Sequence, residues 1–277
     1  MSEEKNILNL LTIDVEDYYQ VSAFEGIVGH ENWDNYGSRI VRNTGILLDM
    51  LDQYNVKATF FVLGWIAEKF PHLVKDIHGK GHEIGCHSYL HRLIYNLSPG
   101  EFREDTRRAK DILEQITGST VSGYRAPSYS ITKNSIWALD ILKELGFKYD
   151  SSIFPVYHDR YGIPEAPRFK YILPGNDLTE YPISTSLIFG KKVPVAGGGY
   201  FRLFPYAFTK YFLEKINQKE KQPFIFYIHP WEIDPEQPMI NGAGIISRFR
   251  HYNNLSKTQN RFRRLLEDFS FAPIKRH

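Results

Sequence analysis

The chain has 277 residues, 42% of them apolar, and 34 Lys+Arg against 32 Asp+Glu, a formal charge of 34 − 32 = +2. This length supports a buried core in one large domain or two small ones, and 15% aromatics with 15 prolines argue against a disordered chain. Near-neutral charge without a Lys/Arg run excludes an electrostatic nucleic-acid binder, and a single cysteine, Cys86, excludes an internal disulfide.

The chain opens on a polar, acidic stretch at 1–5 with no apolar segment behind a basic one, and no run reaches the roughly 18 apolar residues of a membrane span. The expectation is a chain without a secretory signal or an integral membrane segment. It would be cytoplasmic, with peripheral association with cell-envelope biosynthesis open to it. Residues 7–15 form a near-continuous apolar run ending in carboxylates, and 58–63 a second run rich in β-formers. The pattern predicts a helix over 65–80 and a short strand at 82–85 that leads into a His-rich loop.

The helix over 99–116 has the strongest local signals. Ser98 is placed to cap it, Pro99 suits the first helical position and Glu101 completes a capping box. Phe102, Thr106, Ala109, Leu113 and Ile116 share a face, and Gly118 suits a left-handed stop. Strands are predicted at 121–125, 147–150 and 224–228, and helices at 132–145, 207–217 and 257–268. Residues 155–206, rich in Pro, Gly and Tyr, read as irregular or β-rich connections. Strand–helix alternation predicts an α/β fold with parallel strands. The strand ends at 14–17, 87, 125, 150 and 229 all carry polar residues, and in a β/α barrel such ends meet on one rim.

Five clusters could carry chemistry there. In an extended chain Asp14 and Glu16 share a face while Asp17 points elsewhere. Buried negative charge of this kind needs a metal or an arginine to offset it, unless the segment is a solvated turn. His87 and His91, four apart, would lie on one side of a helical turn and reach one ion. His78 and His82 repeat that spacing, but Gly79 and Gly81 place them at a turn, so they read as structural. Cys86 reads as a small buried residue beside His87. Arg125, in Arg125-Ala126-Pro127, could hold a carboxylate with its fork of donors or form a structural ion pair. Asp150 is either an N-cap or a functional carboxylate, and His229 either a general acid or a packing histidine.

Taken in order, two carboxylates, His-x-x-x-His, Arg-x-Pro, Asp and His-Pro resemble the polysaccharide deacetylase superfamily (NodB homology, carbohydrate esterase family 4) over residues 8–155 and 222–232. Thr12 to Tyr19, Pro182 to Thr185 and Gly197 to Arg202 are similar to the branch associated with exopolysaccharide-export loci. The resemblance implies a distorted (β/α) barrel of about seven parallel strands. It also implies a single domain over 1–277 with a family-specific extension from about 180.

It further implies a metal-dependent hydrolase removing N-acetyl groups from amino sugars of a poly- or oligosaccharide or lipid-linked glycan. One divalent metal, zinc before cobalt, manganese, nickel or iron, would be held by His87, His91 and a carboxylate. An Asp-x-Asp spacing in relatives points to Glu16, with Asp17 the competitor. Asp14 would be the base, oriented by Arg125, and His229 the acid, tuned by Asp150. Ser128, where an aromatic residue is usual, together with Tyr129, Trp231 and Arg202, would contact substrate, and a backbone N–H near Ser128 would hold the oxyanion. The alternatives are an amidohydrolase of a small ureide or imide, and an inactive glycan-binding homologue.

Overall fold

A computed structural model describes residues 7–158 and 160–277, so the polar stretch at 1–5 lies outside the described residues. The strands are β1 (Asn9–Val15), β2 (Thr59–Val62), β3 (Glu83–Cys86), β4 (Gly123–Tyr124), β5 (Tyr149–Asp150), β6 (Tyr171–Ile172), β7 (Thr179–Glu180), β8 (Thr185–Ile188), β9 (Lys191–Pro194), β10 (Ile225–Ile228) and β11 (Phe271–Ala272). The helices are α1 (Ile40–Gln53), α2 (Gly64–Lys69), α3 (Pro71–Gly79), α4 (Pro99–Thr117), α5 (Ala138–Glu144), α6 (Gly198–Leu203), α7 (Tyr206–Gln218), α8 (Ile245–Tyr252) and α9 (Leu255–Asp268).

The main sheet runs β10-β1-β2-β3-β4-β5-β7-β6, with β11 also paired to β1. The seven strands from β10 to β7 are parallel, and only β6 runs against its neighbour. This curled, unclosed sheet is the distorted α/β barrel that the resemblance implies. β1 is buried along its whole length because both its faces are covered. Leu11, Ile13 and Val15 pack under the helices with Leu47, Leu51 and Phe60, while Leu10 packs inside the curl with Phe61, Tyr149 and Tyr227. The two-residue period therefore turns Thr12 and Asp14 into the curl as well.

Local chemistry explains the boundaries. α4 has the Ser98–Glu101 capping box, and Gly118 ends it at φ 64°. The helix expected over 65–80 is two, because Pro71 has no N–H to continue α2 and starts α3 instead. The one expected over 132–145 is a short turn at Lys133–Ser135 followed by α5. The segment 155–206 is irregular in part, yet β6 and β7 extend the main sheet and β8 and β9 form a hairpin. Gly197 takes φ 129° and bridges to β10, where a Cβ would sit 2.1 Å from the Tyr227 carbonyl oxygen. Only glycine allows that approach.

Candidate active site

Because the strands are parallel, their C-terminal ends share a rim, and Asp14, Glu16, His87, Arg125 and His229 all lie there. Glu16, His87 and His91 are buried, with one potential ligand atom from each within 4.8 Å of the others. His87 follows β3. His91 is delivered not by a helical turn, as its spacing suggested, but by a loop with left-handed residues at Ser88 (φ 64°) and His91 (φ 55°). That loop is pinned by Tyr89 N–H donating to Asp105 of α4 at 2.6 Å and by Gly64 N–H donating to the Ser88 carbonyl at 2.8 Å.

The three side chains suit a divalent cation. Glu16 Oε2 lies 2.6 Å from His91 Nε2 without hydrogen-bond alignment, and it has no hydrogen-bond partner among the described residues. His87 Nδ1 contacts the Arg125 carbonyl at 2.7 Å, which fixes the ring and leaves Nε2 for an ion. Burial pushes His87 down to about 4, so it stays neutral and able to ligate. Burial works against a charge on Glu16, yet His91, His229 and His87 together hold its carboxyl far below the usual range. Asp17 is occupied elsewhere: it accepts from Tyr18 N–H at 3.0 Å, Ser38 Oγ at 2.7 Å and Arg39 N–H at 2.9 Å. It therefore secures the approach to α1, and Glu16 is the carboxylate in the cluster.

Asp14 Oδ1 accepts from Arg125 Nη1 at 2.7 Å. The fully buried guanidinium also donates to Thr12 Oγ1 at 2.7 Å and to Ser151 Oγ and carbonyl at 2.8 and 3.1 Å. A face of Phe61 lies 4.3 Å from it. Every one of these contacts fixes the fork, so Asp14 is held in one orientation. Its Oδ2 lies 3.9 Å from His229 Nε2.

His229 is 16% exposed, and its Nε2 lies 3.4 Å from Glu16. Its Nδ1 meets Glu232 Oε1 at 2.6 Å, and Arg202 Nε donates to Glu232 Oε2 at 2.7 Å. Burial opposes the imidazolium, but Glu16, Glu232 and Asp14 outweigh it and push His229 up to about 9. Glu232, buried, is nonetheless held below the usual carboxylate range by Arg202 and His229. Two sequence expectations change here. Asp150 does not reach His229: it accepts from Ser152 Oγ at 2.6 Å and pairs with Glu180 of β7. Burial raises both carboxyls, Glu180 well above its ordinary value. Arg202 is not a free substrate contact, because its donors go to Glu232 and to the His251 and Asn253 carbonyls at 2.6 and 3.2 Å.

The family model for polysaccharide deacetylase matches residues 33–149, and one for a domain of unknown function, DUF3473, matches 151–277. The chain carries a polysaccharide deacetylase domain. A peptidoglycan-N-acetylglucosamine deacetylase of Bacillus cereus is 41% identical over 95 residues, covering 34% of each chain. A peptidoglycan deacetylase of Helicobacter pylori is 28% identical over 166 residues, covering 57% of this chain and 55% of its own. The chain thus spans between about a third and a little over half of these relatives' lengths. A crystal structure of a candidate polysaccharide deacetylase from Mycobacterium smegmatis superposes with a TM-score of 0.63 at 19% identity, covering 100% of this chain and 90% of that one.

The rim opens into a cleft of about 400 Å³ that Asp14, Glu16, His87, His91 and His229 line together. Ser128, Tyr129, Trp231 and Arg202 also border it. Ser128 and Tyr129 adopt left-handed backbone (φ 51° and 55°), and Ser128 Oγ pairs with Ser22 Oγ at 2.7 Å. Tyr129 buries its hydroxyl without a hydrogen-bond partner among the described residues. Trp231 stacks between His229 and His251, and its Nε1 donates to Glu16 at 3.2 Å. Sequence reasoning missed Glu232. The signal was a Glu three residues after His229, which closes a capping box around the Pro230–Ile233 turn.

Proposed function

We propose that this chain is a metal-dependent N-deacetylase of amino-sugar glycans, holding one divalent cation, zinc in first place, through Glu16, His87 and His91. The observation that carries this reading is the buried Glu–His–His cluster opening to the same cleft as Asp14 and His229. A cation there supplies a Lewis acid and lowers the pKa of bound water from 15.7 toward roughly 7–9. The relatives' names, peptidoglycan and N-acetylglucosamine deacetylases, support an N-acetyl amino sugar as the reacting unit.

The chain's own groups divide the remaining work. Asp14, locked through Oδ1 by Arg125, presents Oδ2 to the cleft as the base that takes the proton of the attacking water. His229, charged at neutral pH, gives its Nε2 proton to the departing amine. Glu232 holds the ring through Nδ1, and Arg202 holds Glu232. The left-handed turn at Ser128 offers a backbone N–H for the developing oxyanion. Tyr129, Tyr227 and Trp231 wall the space for the sugar ring. Because Arg125 lies in the first matched segment, His229, Glu232 and Arg202 in the second, and Asp14 and Glu16 ahead of both, the whole chain acts as one catalytic unit.

The test is acetate release by the metal-stripped full chain, with each candidate metal added back. Substrates are N-acetylglucosamine oligomers, peptidoglycan, an acetylated exopolysaccharide, and small cyclic ureides and imides. Metal-restored release from a glycan supports the reading. Hydrolysis confined to the small amides, or glycan binding without release under every metal, overturns it.

A further inference from the structure

We propose that α8 is a docking element for an anionic phospholipid surface, placed to bring the mouth of the cleft against that surface. The inference goes beyond the deacetylase reading and does not depend on it.

α8 is inverted relative to an ordinary surface helix. Ile245 and Ile246 are 87% and 68% exposed and Phe249 is 57% exposed, whereas the polar His251 is buried against Trp231 and bonded to Gln237 at 2.7 Å. At 100° per residue, Ile245, Phe249 and Ile246 form one outward stripe, and His251 faces the opposite way. Two more exposed apolar residues lie nearby: Met239, whose sulfur is 3.9 Å from Arg248 Nη2, and Ile27, beside Gly242.

Charge identifies the occupant. Arg248 and Arg250 flank the stripe on either side, both exposed, and neither forms an ion pair among the described residues. An apolar stripe bordered by unpaired arginines matches the layout of helices that lie in a membrane interface. There apolar side chains enter the acyl boundary and cationic heads reach back to anionic phosphates. Ser247, Phe249 and Arg250 also line the cleft, so a lipid-bound α8 sets the cleft mouth at the surface. No helix among the described residues is long and apolar enough to cross a membrane.

The experiment is flotation of the full chain with vesicles of phosphatidylcholine alone or with roughly one-third phosphatidylglycerol. The wild type is expected to float with the anionic vesicles, less so at raised salt. Ile245→Asp/Ile246→Asp and, separately, Arg248→Glu/Arg250→Glu are each expected to weaken binding by at least about tenfold. All four positions are exposed, and circular dichroism verifies that the variants stay folded. Wild-type chain that stays down with anionic vesicles overturns the proposal, as does equal flotation of wild type and variants. A dimer in light scattering that Ile245→Asp/Ile246→Asp dissolves, without flotation, assigns the face to a second copy and also overturns it. Because flotation is read without turnover, either result leaves the deacetylase reading to its own assay.

Discussion

Replacing Glu232 by Gln removes the charge behind His229 while keeping the shape. In the native chain the carboxylate meets Nδ1 at 2.6 Å and is itself held by Arg202 at 2.7 Å. A charge-assisted hydrogen bond between such groups is worth about 1.5–3 kcal/mol. Its loss falls on the step that needs a charged His229, because Glu232 helps push that imidazole up to about 9. Taking about 2 kcal/mol, kcat for acetate release drops roughly 30-fold, at 1.36 kcal/mol per factor of ten. KM and bound metal stay near wild type, since Glu232 is not in the Glu16–His87–His91 cluster. Steady-state kinetics with elemental analysis of the same preparation reads all three quantities. Asp150→Asn is the comparison, since the resemblance implied that residue for the same task. Full activity in Glu232→Gln beside a large kcat loss in folded Asp150→Asn would refute the reasoning.

Three further outcomes follow from the geometry. Glu16→Gln is expected to lose most bound metal, whereas Asp17→Asn keeps it and loses about 1–3 kcal/mol of stability through its Ser38 and Arg39 bonds; metal content with denaturant melts separates the two, and metal loss in Asp17→Asn reverses the ligand assignment. His82 is buried, with Nδ1 accepting from Ala58 N–H at 3.2 Å, and burial pushes it down to about 4. Its folded pKa lies below its unfolded value, so its contribution is complete above about 6.5 and fades as pH falls toward 4, a loss of about 3 kcal/mol. The difference between wild-type and His82→Gln stability should shrink across that window, and a constant difference contradicts it. Gly197→Ala is expected to cost about 3 kcal/mol, because φ 129° and the Tyr227 carbonyl leave no room for a methyl group; an unchanged melting temperature would show that α6 can shift away.

What the sequence makes legible is set by how local the cause is. The capping box of α4 and the apolar runs of β1 and β10 act within a few residues, and the α/β architecture follows from them. The two-residue period of an extended chain separates Glu16 from Asp17 before any fold is known. Arg202, Asp150 and Glu232 behave differently. Their partners are chosen by how α6 and β7 pack, and nothing near Arg202 in the sequence announces a carboxylate thirty residues away. α1 had a readable signal, since Ile40, Thr44, Leu47 and Leu51 recur at helical spacing and are buried. α8 had a misleading one, because its apolar residues face outward rather than inward.

The place of β10 beside β1 has a consequence for biosynthesis. Leu10 pairs with Ile225, 225 − 10 = 215 positions downstream. At about 5–20 residues per second on the ribosome, the first strand waits roughly 10–40 s for that neighbour. Throughout this interval one flank of Leu10–Ile13 is an unpaired apolar edge, open to strands of other nascent chains. Completion of the sheet is therefore a late, long-range event, and chaperone occupancy of the emerging amino-terminal half should govern the yield of active protein.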